Sequence, residues 1–407
     1  MINRSLYRNL WQEISENKQM VFLSGPRQTG KTTFARIIQK SCKNSLYYNY
    51  DLPGSKKTII DNPAFFQDVD RKDNTRPLII LDEIHKHLRW KNYLKGIYDG
   101  YSDSFKFMVL GSGRLSVFQK GGDSLAGRYF LFHMWPFTFS ELYESRFPFD
   151  GFMNNPLRLH DDFDWGKAME IWNIIADIGG FPEPFISGKK TFYRRWWNTY
   201  QKQLIQEDIR NMTEIKNIDD MELLFSLLPS RVGSPLSMEN LARDIQISPS
   251  TVKRWLQIFE RFFLCFRITP WSGKISRAIT KEKKVYFYNC AAVNDAPARF
   301  ENMAAVELMR AVNNWNDLGL GAFSLHYIRN KQKEEVDFLI ADNRKPLLLV
   351  EAKLNDDRVA GPLKKFQDIL QIPAVHLSGS RESFKLINNN KQNILITGAP
   401  RWFAGLP

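Results

Sequence analysis

The chain has 407 residues, with 57 lysines and arginines against 44 aspartates and glutamates, and its formal net charge is therefore +13. This length predicts two to four domains, because one domain usually takes about 100–200 residues. The 43% share of apolar residues excludes a wholly disordered chain, and the positive charge favours an anionic partner such as nucleic acid or acidic lipid. The charge is spread along the sequence, so it identifies no binding face by itself.

The cysteines and the hydropathy pattern bear on the cellular compartment. Three cysteines without a CxxC pair argue against a disulfide framework and predict a reducing, intracellular setting. The N-terminus has no apolar signal-peptide segment, and no run of about 18 apolar residues predicts a membrane-spanning helix. We therefore expect a cytoplasmic protein with no membrane partner.

The first strong motif follows the apolar strand pattern of Met20–Ser24. It reads GPRQTGKT and matches GxxxxGK[ST] between a strand and a helix. Backbone N–H groups of such a loop point at phosphate oxygens, its lysine reaches the β- and γ-phosphates, and its last hydroxyl binds Mg²⁺. The motif thus predicts a site for ATP and Mg²⁺. The predicted nucleotide-binding residues are Gly25, Arg27, Gln28, Thr29, Gly30, Lys31, Thr32 and Thr33.

A second apolar strand pattern, Leu78–Leu81, ends in two carboxylates. Asp82 is the candidate residue that holds Mg²⁺ through water, together with Thr32 of the first motif. Glu83 is the candidate general base that polarises the attacking water. A glutamate at this position predicts hydrolysis of the nucleotide and not only its binding.

Two further motifs supply candidate sensor residues. Ser112 and Arg114 follow the strand pattern Phe107–Leu110, and a polar side chain at the carboxyl end of such a strand can lie beside the γ-phosphate. Arg128 ends the sequence LAGR and could stabilise transition-state charge in its own chain or in a neighbouring subunit. The alternatives are a tight glycine turn for the first motif and a solvated surface arginine for the second.

Residues 237–271 read as helix, turn, helix and strand, which is typical of a winged helix-turn-helix. Ser237 is predicted to cap the first helix, and the second is predicted to open at Thr251 with Ser250 as its cap. The first residues of the second helix would lie nearest DNA, so the DNA-binding candidates are Thr251, Lys253 and Arg254. The alternative is a connector that packs on neighbouring domains.

A cluster of carboxylates is predicted in the last region. Glu351 and Lys353 lie two positions apart on one strand pattern and therefore point to one face. A tight turn at residues 342–345 predicts a hairpin that brings Asp337 opposite them. Glu301, on a preceding helical pattern, could add a fourth group.

This D…ExK arrangement resembles the PD-(D/E)xK nuclease-like fold. The resemblance implies that Asp337 and Glu351 bind a second divalent ion, Mg²⁺ or Mn²⁺, with Glu301 in support, and that Lys353 is catalytic. The alternative is a degraded module that is kept for binding or assembly.

Longer runs of the sequence are similar to prokaryotic AAA+-like ATPases that carry a C-terminal domain of uncharacterised function. The resemblance covers nearly the whole chain and implies a P-loop ATPase. The runs that carry it are VFLSGPRQTGKTTFAR, DEIHK, LGSGR, LAGRYFLFHMWPFTFSEL, GGFPEP, FENMAAVEL, EEVDFLI and VEAK.

The sequence as a whole predicts an α/β protein that hydrolyses ATP and acts on or binds nucleic acid, with DNA favoured and metal-dependent nuclease activity left open. The alternative is a regulatory ATPase switch whose nuclease-like domain is inactive and serves partner recognition or assembly. Either function is compatible with a homo-oligomer or a protein partner. The predicted parts are a P-loop parallel-sheet ATPase domain (1–145), a linker and helical region (146–220), a winged helix-turn-helix (221–280) and an α/β nuclease-like domain (281–407).

Overall fold

A computed structural model describes residues 4–111, 125–145, 148–210, 217–272, 282–356, 358–389 and 392–407. The chain divides into two compact units, Met1–Pro136 and Phe137–Pro407. Among the described residues, no helix is both long and apolar enough to cross a membrane. The division into four parts stays a prediction.

The first unit is built on a five-stranded parallel sheet. Its strands are β1 (Met20–Ser24), β2 (Ser45–Asn49), β3 (Leu78–Asp82), β4 (Lys106–Leu110) and β5 (Tyr129–His133). Its described helices are α1 (Ser5–Ile14), α2 (Lys31–Ser41), α3 (Pro53–Asp61) and α4 (Trp90–Tyr101), with 3-10 turns at Phe65–Asp68 and Ile84–Lys86. Across the sheet the strand order is β2, β3, β4, β1, β5, and neighbouring strands are parallel.

The three central strands of this sheet, β1, β3 and β4, are those that the sequence predicts. β1 and β3 are buried at every position, as expected of parallel strands that lie between layers of helices. β2 and β5 lie at the two edges of the sheet and are only partly buried along most of their length. The strand predictions do not include β2 (SLYYN) or β5 (YFLFH).

The strand register places the ends of β1, β3 and β4 at one edge of the sheet. Leu23 pairs with Leu110, and Leu110 in turn pairs with Asp82. The carboxyl ends of these strands therefore lie side by side. Ligands bind at this edge in open parallel sheets.

The second unit combines helices with a mixed eight-stranded sheet. Its strands are β6 (Cys265–Pro270), β7 (Lys284–Phe287), β8 (Phe323–Arg329), β9 (Glu335–Asp342), β10 (Lys345–Lys353), β11 (Ala374–Ser378), β12 (Lys385–Asn389) and β13 (Gln392–Gly398). Its described helices are α5 (Phe139–Tyr143), α6 (Phe149–Asn154), α7 (Trp165–Ile178), α8 (Pro182–Ser187), α9 (Lys190–Lys202), α10 (Ile218–Leu227), α11 (Met238–Asp244), α12 (Pro249–Arg261), α13 (Ala296–Asp317), α14 (Gly361–Leu370) and α15 (Ala399–Phe403). A π-helical turn at Gln203–Ile209 and 3-10 turns at Leu228–Arg231 and Cys290–Ala292 complete the described elements. The strand order is β12, β13, β11, β10, β9, β8, β6, β7.

Two helices, α11 and α12, form in the region that is predicted to be a helix-turn-helix. The Ser237 hydroxyl accepts a hydrogen bond from the Asn240 N–H (3.3 Å), which confirms the predicted cap. The second helix begins at Pro249, two residues earlier than predicted, and its cap is Ser248 and not Ser250. A proline fits the first helical position because its missing N–H would have no partner there. The next strand, β6, lies between β7 and β8 in the sheet.

The predicted linker and helical region, 146–220, contains the short helix α6 near its start. Phe152 of α6 is buried and packs against Trp315, with their ring centroids 5.5 Å apart. Further along the chain, β9 and β10 form the predicted hairpin, in which Lys345 pairs with Asp342. The long helix α13 contacts β7, β8, β9 and β10 and thereby places Glu301 beside the sheet.

Candidate nucleotide site and carboxylate cluster

The P-loop between β1 and α2 takes its shape from three residues with positive φ. These are Gly25 (φ 140°), Gln28 (59°) and Gly30 (92°). A Cβ atom on Gly25 would lie 2.2 Å from the carbonyl oxygen of Met134, so only glycine fits at this position. The glycines of the motif are therefore required by the backbone itself.

The Lys31 side chain lies inside this loop. Its Nζ donates hydrogen bonds to the carbonyl oxygens of Gly25 (3.0 Å) and Pro26 (2.5 Å). Burial lowers the pKa of Lys31 to about 8, although the nearby charges of Glu83 and Asp82 act in the opposite direction. The ammonium is thus held at the point where the loop would surround a phosphate.

The remaining loop residues differ in exposure. Thr29 is buried, and its carbonyl oxygen accepts a hydrogen bond from Nη1 of the buried Arg4 (3.1 Å). Gln28 and Thr33 are exposed and Arg27 is half-buried, so these three side chains can reach a ligand in solvent. Arg4, which the sequence motif does not include, therefore anchors the loop from the segment before α1.

Thr32 and Asp82 meet at the carboxyl edge of the sheet. Thr32 Oγ1 donates a hydrogen bond to Asp82 Oδ2 (2.8 Å), and Tyr47 Oη donates a second one to the same oxygen (2.6 Å). The Arg36 guanidinium lies 3.3 Å from the ring centroid of Tyr47. Burial and the neighbouring Asp82 carboxylate raise the pKa of Tyr47, so its hydroxyl stays protonated and donates.

This pair of oxygen ligands fits Mg²⁺. A hydroxyl and a carboxylate oxygen, supplemented by phosphate oxygens and water, form the hard ligand set that Mg²⁺ prefers. Thr32 and Asp82 are therefore the residues that would hold the ion beside a bound nucleotide.

Glu83 follows Asp82 in an unusual backbone conformation. Its φ is 56°, in the left-handed region that non-glycine residues rarely adopt. Its Oε2 lies 3.4 Å from His85 Nε2 and 3.4 Å from Lys86 Nζ. Burial raises the pKa of Glu83. The positive charge of Lys86 lowers this pKa, and the negative charge of Asp82 raises it further. A carboxylate with a raised pKa is better matched to proton transfer near neutral pH.

Of the candidate sensor residues, Arg128 is the one within the described part of the chain. Arg128 immediately precedes β5, and its carbonyl oxygen accepts a hydrogen bond from the Met20 N–H at the amino end of β1. It lies about 16 Å along the sheet from the P-loop, because five strand residues at about 3.3 Å each separate the two edges. Its guanidinium is paired with Asp99 (Nε to Oδ1 2.7 Å). Arg128 therefore lies at the amino ends of the strands, away from the P-loop edge of its own chain, and its predicted role stays a prediction. Ser112 and Arg114 lie outside the described residues.

The β9–β10 hairpin of the second unit brings Asp337, Glu351 and Lys353 together. Asp337 Oδ2 accepts hydrogen bonds from the Ala352 N–H (3.0 Å) and from Lys353 Nζ (3.1 Å). Lys353 Nζ also lies 3.8 Å from Glu351 Oε1. On the other side of Glu351, Oε2 lies 3.6 Å from Nδ1 of the buried His376.

A second lysine, Lys284 on β7, enters the same cluster. Its side chain is 1% exposed, and its Nζ lies 2.6 Å from Glu335 Oε1, 3.3 Å from Glu301 Oε1 and 3.8 Å from Asp337 Oδ1. Burial by itself would lower the pKa of Lys284, but the three carboxylates outweigh it and raise the pKa above its usual value. The lysine is therefore charged inside the cluster.

Glu301 is enclosed from several directions. Its Oε1 accepts a hydrogen bond from Tyr286 Oη (2.7 Å) as well as from Lys284 Nζ. A Cβ atom on Gly233 would lie 2.8 Å from Glu301 Oε2, so the turn around Gly233 covers the carboxylate. Burial raises the pKa of Glu301, and the negative charge of Asp337 adds to this effect.

The donor set of this cluster does not fit a divalent ion. Lysine ammonium groups already neutralise the carboxylates that the D…ExK resemblance assigns to a metal. Within the part of the chain that the structure describes, no group of three or more His, Cys, Asp or Glu side chains is arranged to hold a metal. The implied second metal is thus not supported by the residues around Asp337 and Glu351.

The DNA-binding candidates lie in the first turns of α12. Lys253 and Arg254 are exposed and Thr251 is half-buried, with its N–H donated to the capping hydroxyl of Ser248 (3.1 Å). The opposite face of the helix is apolar and buried, and it includes Val252. The two cations therefore project into solvent from a helix that is fixed by its other face.

Comparisons with known proteins bear on both units. Residues 17–143 match the family model described as an AAA domain. This stretch contains the P-loop, Asp82 and Glu83. The first unit is an AAA-like P-loop ATPase domain. Residues 170–302 match a model described as a domain of unknown function, DUF8612.

Several proteins are similar to larger parts of the chain. A protein of Mycobacterium tuberculosis named as uncharacterised is 20% identical over 334 residues, which are 80% of this chain and 68% of that protein. A protein of Methanocaldococcus jannaschii, also named as uncharacterised, is 24% identical over 299 residues, which are 67% and 61% of the two chains. A Walker-type ATPase of Pyrococcus abyssi aligns in structure with a TM-score of 0.43 and 14% identity, over 72% of this chain and 95% of that one.

Sequence reasoning missed several side chains at these sites. In the ATPase domain it missed Tyr47, which reaches Asp82 from the neighbouring strand β2. In the second unit it missed Lys284 and Glu335, which face each other in the carboxylate cluster. A signal existed only for Glu335, which lies two positions before Asp337 on the same strand and so shares its face.

Proposed function

We propose that the ATPase domain binds ATP with Mg²⁺ at its P-loop and hydrolyses it, and that the nucleotide state controls nucleic-acid binding by the second unit. The observation that supports this most directly is the 2.8 Å contact between Thr32 Oγ1 and Asp82 Oδ2. It joins the hydroxyl of the P-loop to the strand-end carboxylate, as a Mg²⁺–nucleotide site requires.

The residues of this site have different roles in binding and hydrolysis. Lys31 exchanges the carbonyl oxygens of Gly25 and Pro26 for phosphate oxygens, and the N–H groups of the loop bind the remaining phosphate charge. Mg²⁺, when bound by Thr32 and Asp82, neutralises charge on the phosphates. Glu83 accepts a proton from the attacking water, which its raised pKa favours.

We assign nucleic-acid binding to α12 as the second helix of a winged helix-turn-helix. The exposed Lys253 and Arg254 support this proposal, because cations at the start of such a helix contact phosphates or bases in the major groove. Ser248 caps the helix, so the N-terminal turn is ordered where it would meet DNA. DNA is the favoured partner.

We propose that the C-terminal sheet belongs to a nuclease-like module, and that this module recognises nucleic acid without cutting it. The geometry of Asp337, Glu351 and Lys353 supports the nuclease-like fold. The pairing of Lys284 with Glu335 and Glu301 supports recognition over cleavage, because carboxylates that are neutralised by the protein are poor ligands for a catalytic metal.

Two substitutions test the proposed ATPase. Lys31→Ala removes the buried ammonium of the P-loop and is expected to abolish ATP binding and turnover. Glu83→Gln keeps the side-chain shape but cannot accept the proton, and is expected to bind ATP and to lower turnover by roughly 10²–10⁴-fold. Release of phosphate and retention of radiolabelled ATP on a filter distinguish the two outcomes.

The control for these variants is Lys40→Ala. Lys40 is exposed and lies on the same helix as Lys31, so its removal changes the net charge equally and should leave turnover unchanged. Turnover at the wild-type rate in Lys31→Ala would show that the P-loop is not the phosphate site.

A further inference from the structure

The carboxylate cluster of the second unit contains its own cation. Lys284 Nζ lies within 4 Å of oxygen atoms from Glu335, Glu301 and Asp337, which come from β9 and α13. The lysine side chain is 1% exposed. An ammonium that is removed from water in this way is tolerated only because the surrounding carboxylates compensate its charge.

Oxygen atoms of three carboxylates surround one point in this cluster, and Lys284 Nζ occupies it. A divalent ion such as Mn²⁺ or Mg²⁺ is also held by carboxylate oxygens from several elements around one point. The ammonium brings one positive charge and three N–H donors, whereas a divalent ion brings two charges and accepts electron pairs from the same oxygens. Lys284 and a metal ion are therefore alternative partners for the same carboxylates.

The segment between the 3-10 turn Leu228–Arg231 and α11 holds this lysine in place. Val232 pairs with Val285, and Pro235 pairs with Lys284, through isolated backbone bridges. Gly233, between them, lies against Glu301 Oε2 and would clash there if it carried a Cβ atom. The lysine is thus fixed through its strand, and the carboxylate that it contacts is covered from the same side.

We propose that the Lys284 ammonium is a resident cation that takes the place of a divalent ion among Glu301, Glu335 and Asp337, and that replacing it with a neutral side chain opens a divalent-metal site there. This inference rests on the proposed recognition role of the nuclease-like module. It identifies Lys284 as the residue that keeps the module free of metal.

The test is a Mn²⁺ titration of the full chain without nucleotide. Free Mn²⁺ is measured by electron paramagnetic resonance, and the melting temperature is measured in parallel. Lys284→Met should melt at a lower temperature than the wild type, should bind about one Mn²⁺ per chain at least about tenfold more tightly, and should regain stability as Mn²⁺ is added. Addition of Asp337→Asn to this variant should abolish both the tighter Mn²⁺ binding and the stabilisation by Mn²⁺.

Three variants complete the experiment. Lys283→Met is the matched control, since it removes a lysine next to Lys284 that is only partly buried, and it should gain no Mn²⁺ binding. Lys284→Arg keeps the positive charge and should also gain none. Lys284→Gln keeps a hydrogen-bond donor among the carboxylates and replaces Lys284→Met if that variant does not fold.

Two results would overturn the inference. One is tight Mn²⁺ binding by the wild type that Asp337→Asn removes, because the cluster would then hold a metal with Lys284 present. The other is a folded Lys284→Met or Lys284→Gln variant that binds no additional Mn²⁺. Neither result touches the ATPase domain, whose phosphate release is measured separately and decides the proposed ATPase activity.

Discussion

Asp82 accepts two hydrogen bonds on a single carboxylate oxygen, from Thr32 and from Tyr47. Thr32 belongs to the P-loop motif, whereas Tyr47 belongs to an edge strand without any motif. The Tyr47 hydroxyl reaches the carboxylate from the neighbouring strand β2, and the Arg36 guanidinium packs on the Tyr47 ring. We therefore interpret Tyr47 as a positioning residue that acts on a bound metal through Asp82.

At the scale of this residue we expect Tyr47→Phe to weaken the use of Mg²⁺. Loss of a partner that orients a ligating carboxylate typically costs 10–100-fold in metal affinity or activity, so the Mg²⁺ concentration for half-maximal ATP turnover should rise roughly tenfold. The measurement is turnover against Mg²⁺ at saturating ATP. Tyr48→Phe is the matched control, because the Tyr48 ring packs on Phe65. If the Mg²⁺ concentration for half-maximal turnover is unchanged in Tyr47→Phe, Tyr47 does not position Asp82 for the metal.

Among the elements, α12 packs on the rest of the unit with one face and exposes the other face to solvent. Arg267 on β6 donates two hydrogen bonds to Glu260 near the end of α12, from Nε to Oε1 (2.8 Å) and from Nη2 to Oε2 (2.7 Å). Arg267 is 5% exposed, so this bidentate pair ties the helix to the sheet. The start of the helix, with Lys253 and Arg254, stays in solvent.

We expect the double variant Lys253→Ala/Arg254→Ala to lose DNA affinity. Removal of two phosphate or base contacts should weaken binding roughly tenfold or more at about 0.1 M salt and should lower the salt slope of log K by roughly 1–2. Fluorescence anisotropy with labelled duplex DNA at several salt concentrations measures both quantities.

The control for the double variant lies on α9. Arg194→Ala/Arg195→Ala removes two exposed cations from the same unit and therefore the same net charge. An equal loss of DNA affinity in both double variants would mean that DNA binding depends on the net charge of the protein and not on contacts made by α12.

On the scale of the whole molecule, each unit has its own hydrophobic core. In the ATPase domain, buried residues such as Phe22, Phe66 and Leu81 pack together, and in the second unit Leu339, Leu349 and Phe366 belong to another such cluster. A unit with its own core can unfold as a cooperative body. The nucleotide site lies wholly in the first of these bodies.

We therefore expect two thermal transitions, of which a non-hydrolysable ATP analogue with Mg²⁺ shifts only one. At a ligand concentration of 100 times Kd, the ATPase domain should gain about 2.7 kcal/mol of stability. Differential scanning calorimetry measures both transitions, and Lys31→Ala, which lacks the P-loop ammonium, should show no shift. A single transition that moves as a whole with the nucleotide would contradict this expectation.

The central strands, the P-loop and the β9–β10 hairpin could be predicted because each is encoded within one short stretch of the sequence. The phosphate loop needs Gly25 and Gly30 for its positive φ angles, and a buried parallel strand must be apolar on both faces, so Asp82 at the end of such a strand is conspicuous. The edge strands and the Ser248 cap were harder to predict. A partly buried strand has a less regular hydrophobic pattern, and Ser248 and Ser250 are both possible caps by sequence.

By itself the sequence determined that this chain carries a nucleotide-binding loop with a carboxylate pair and a D…ExK hairpin. Only the tertiary structure decided which distant side chains join them. Strand order brings Tyr47 to Asp82 and leaves Arg128 at the opposite edge of the sheet. Packing of β7 against α13 places Lys284 among the carboxylates. The physical reason is that motifs are local, whereas the charge balance of a buried site depends on elements that are distant in the sequence.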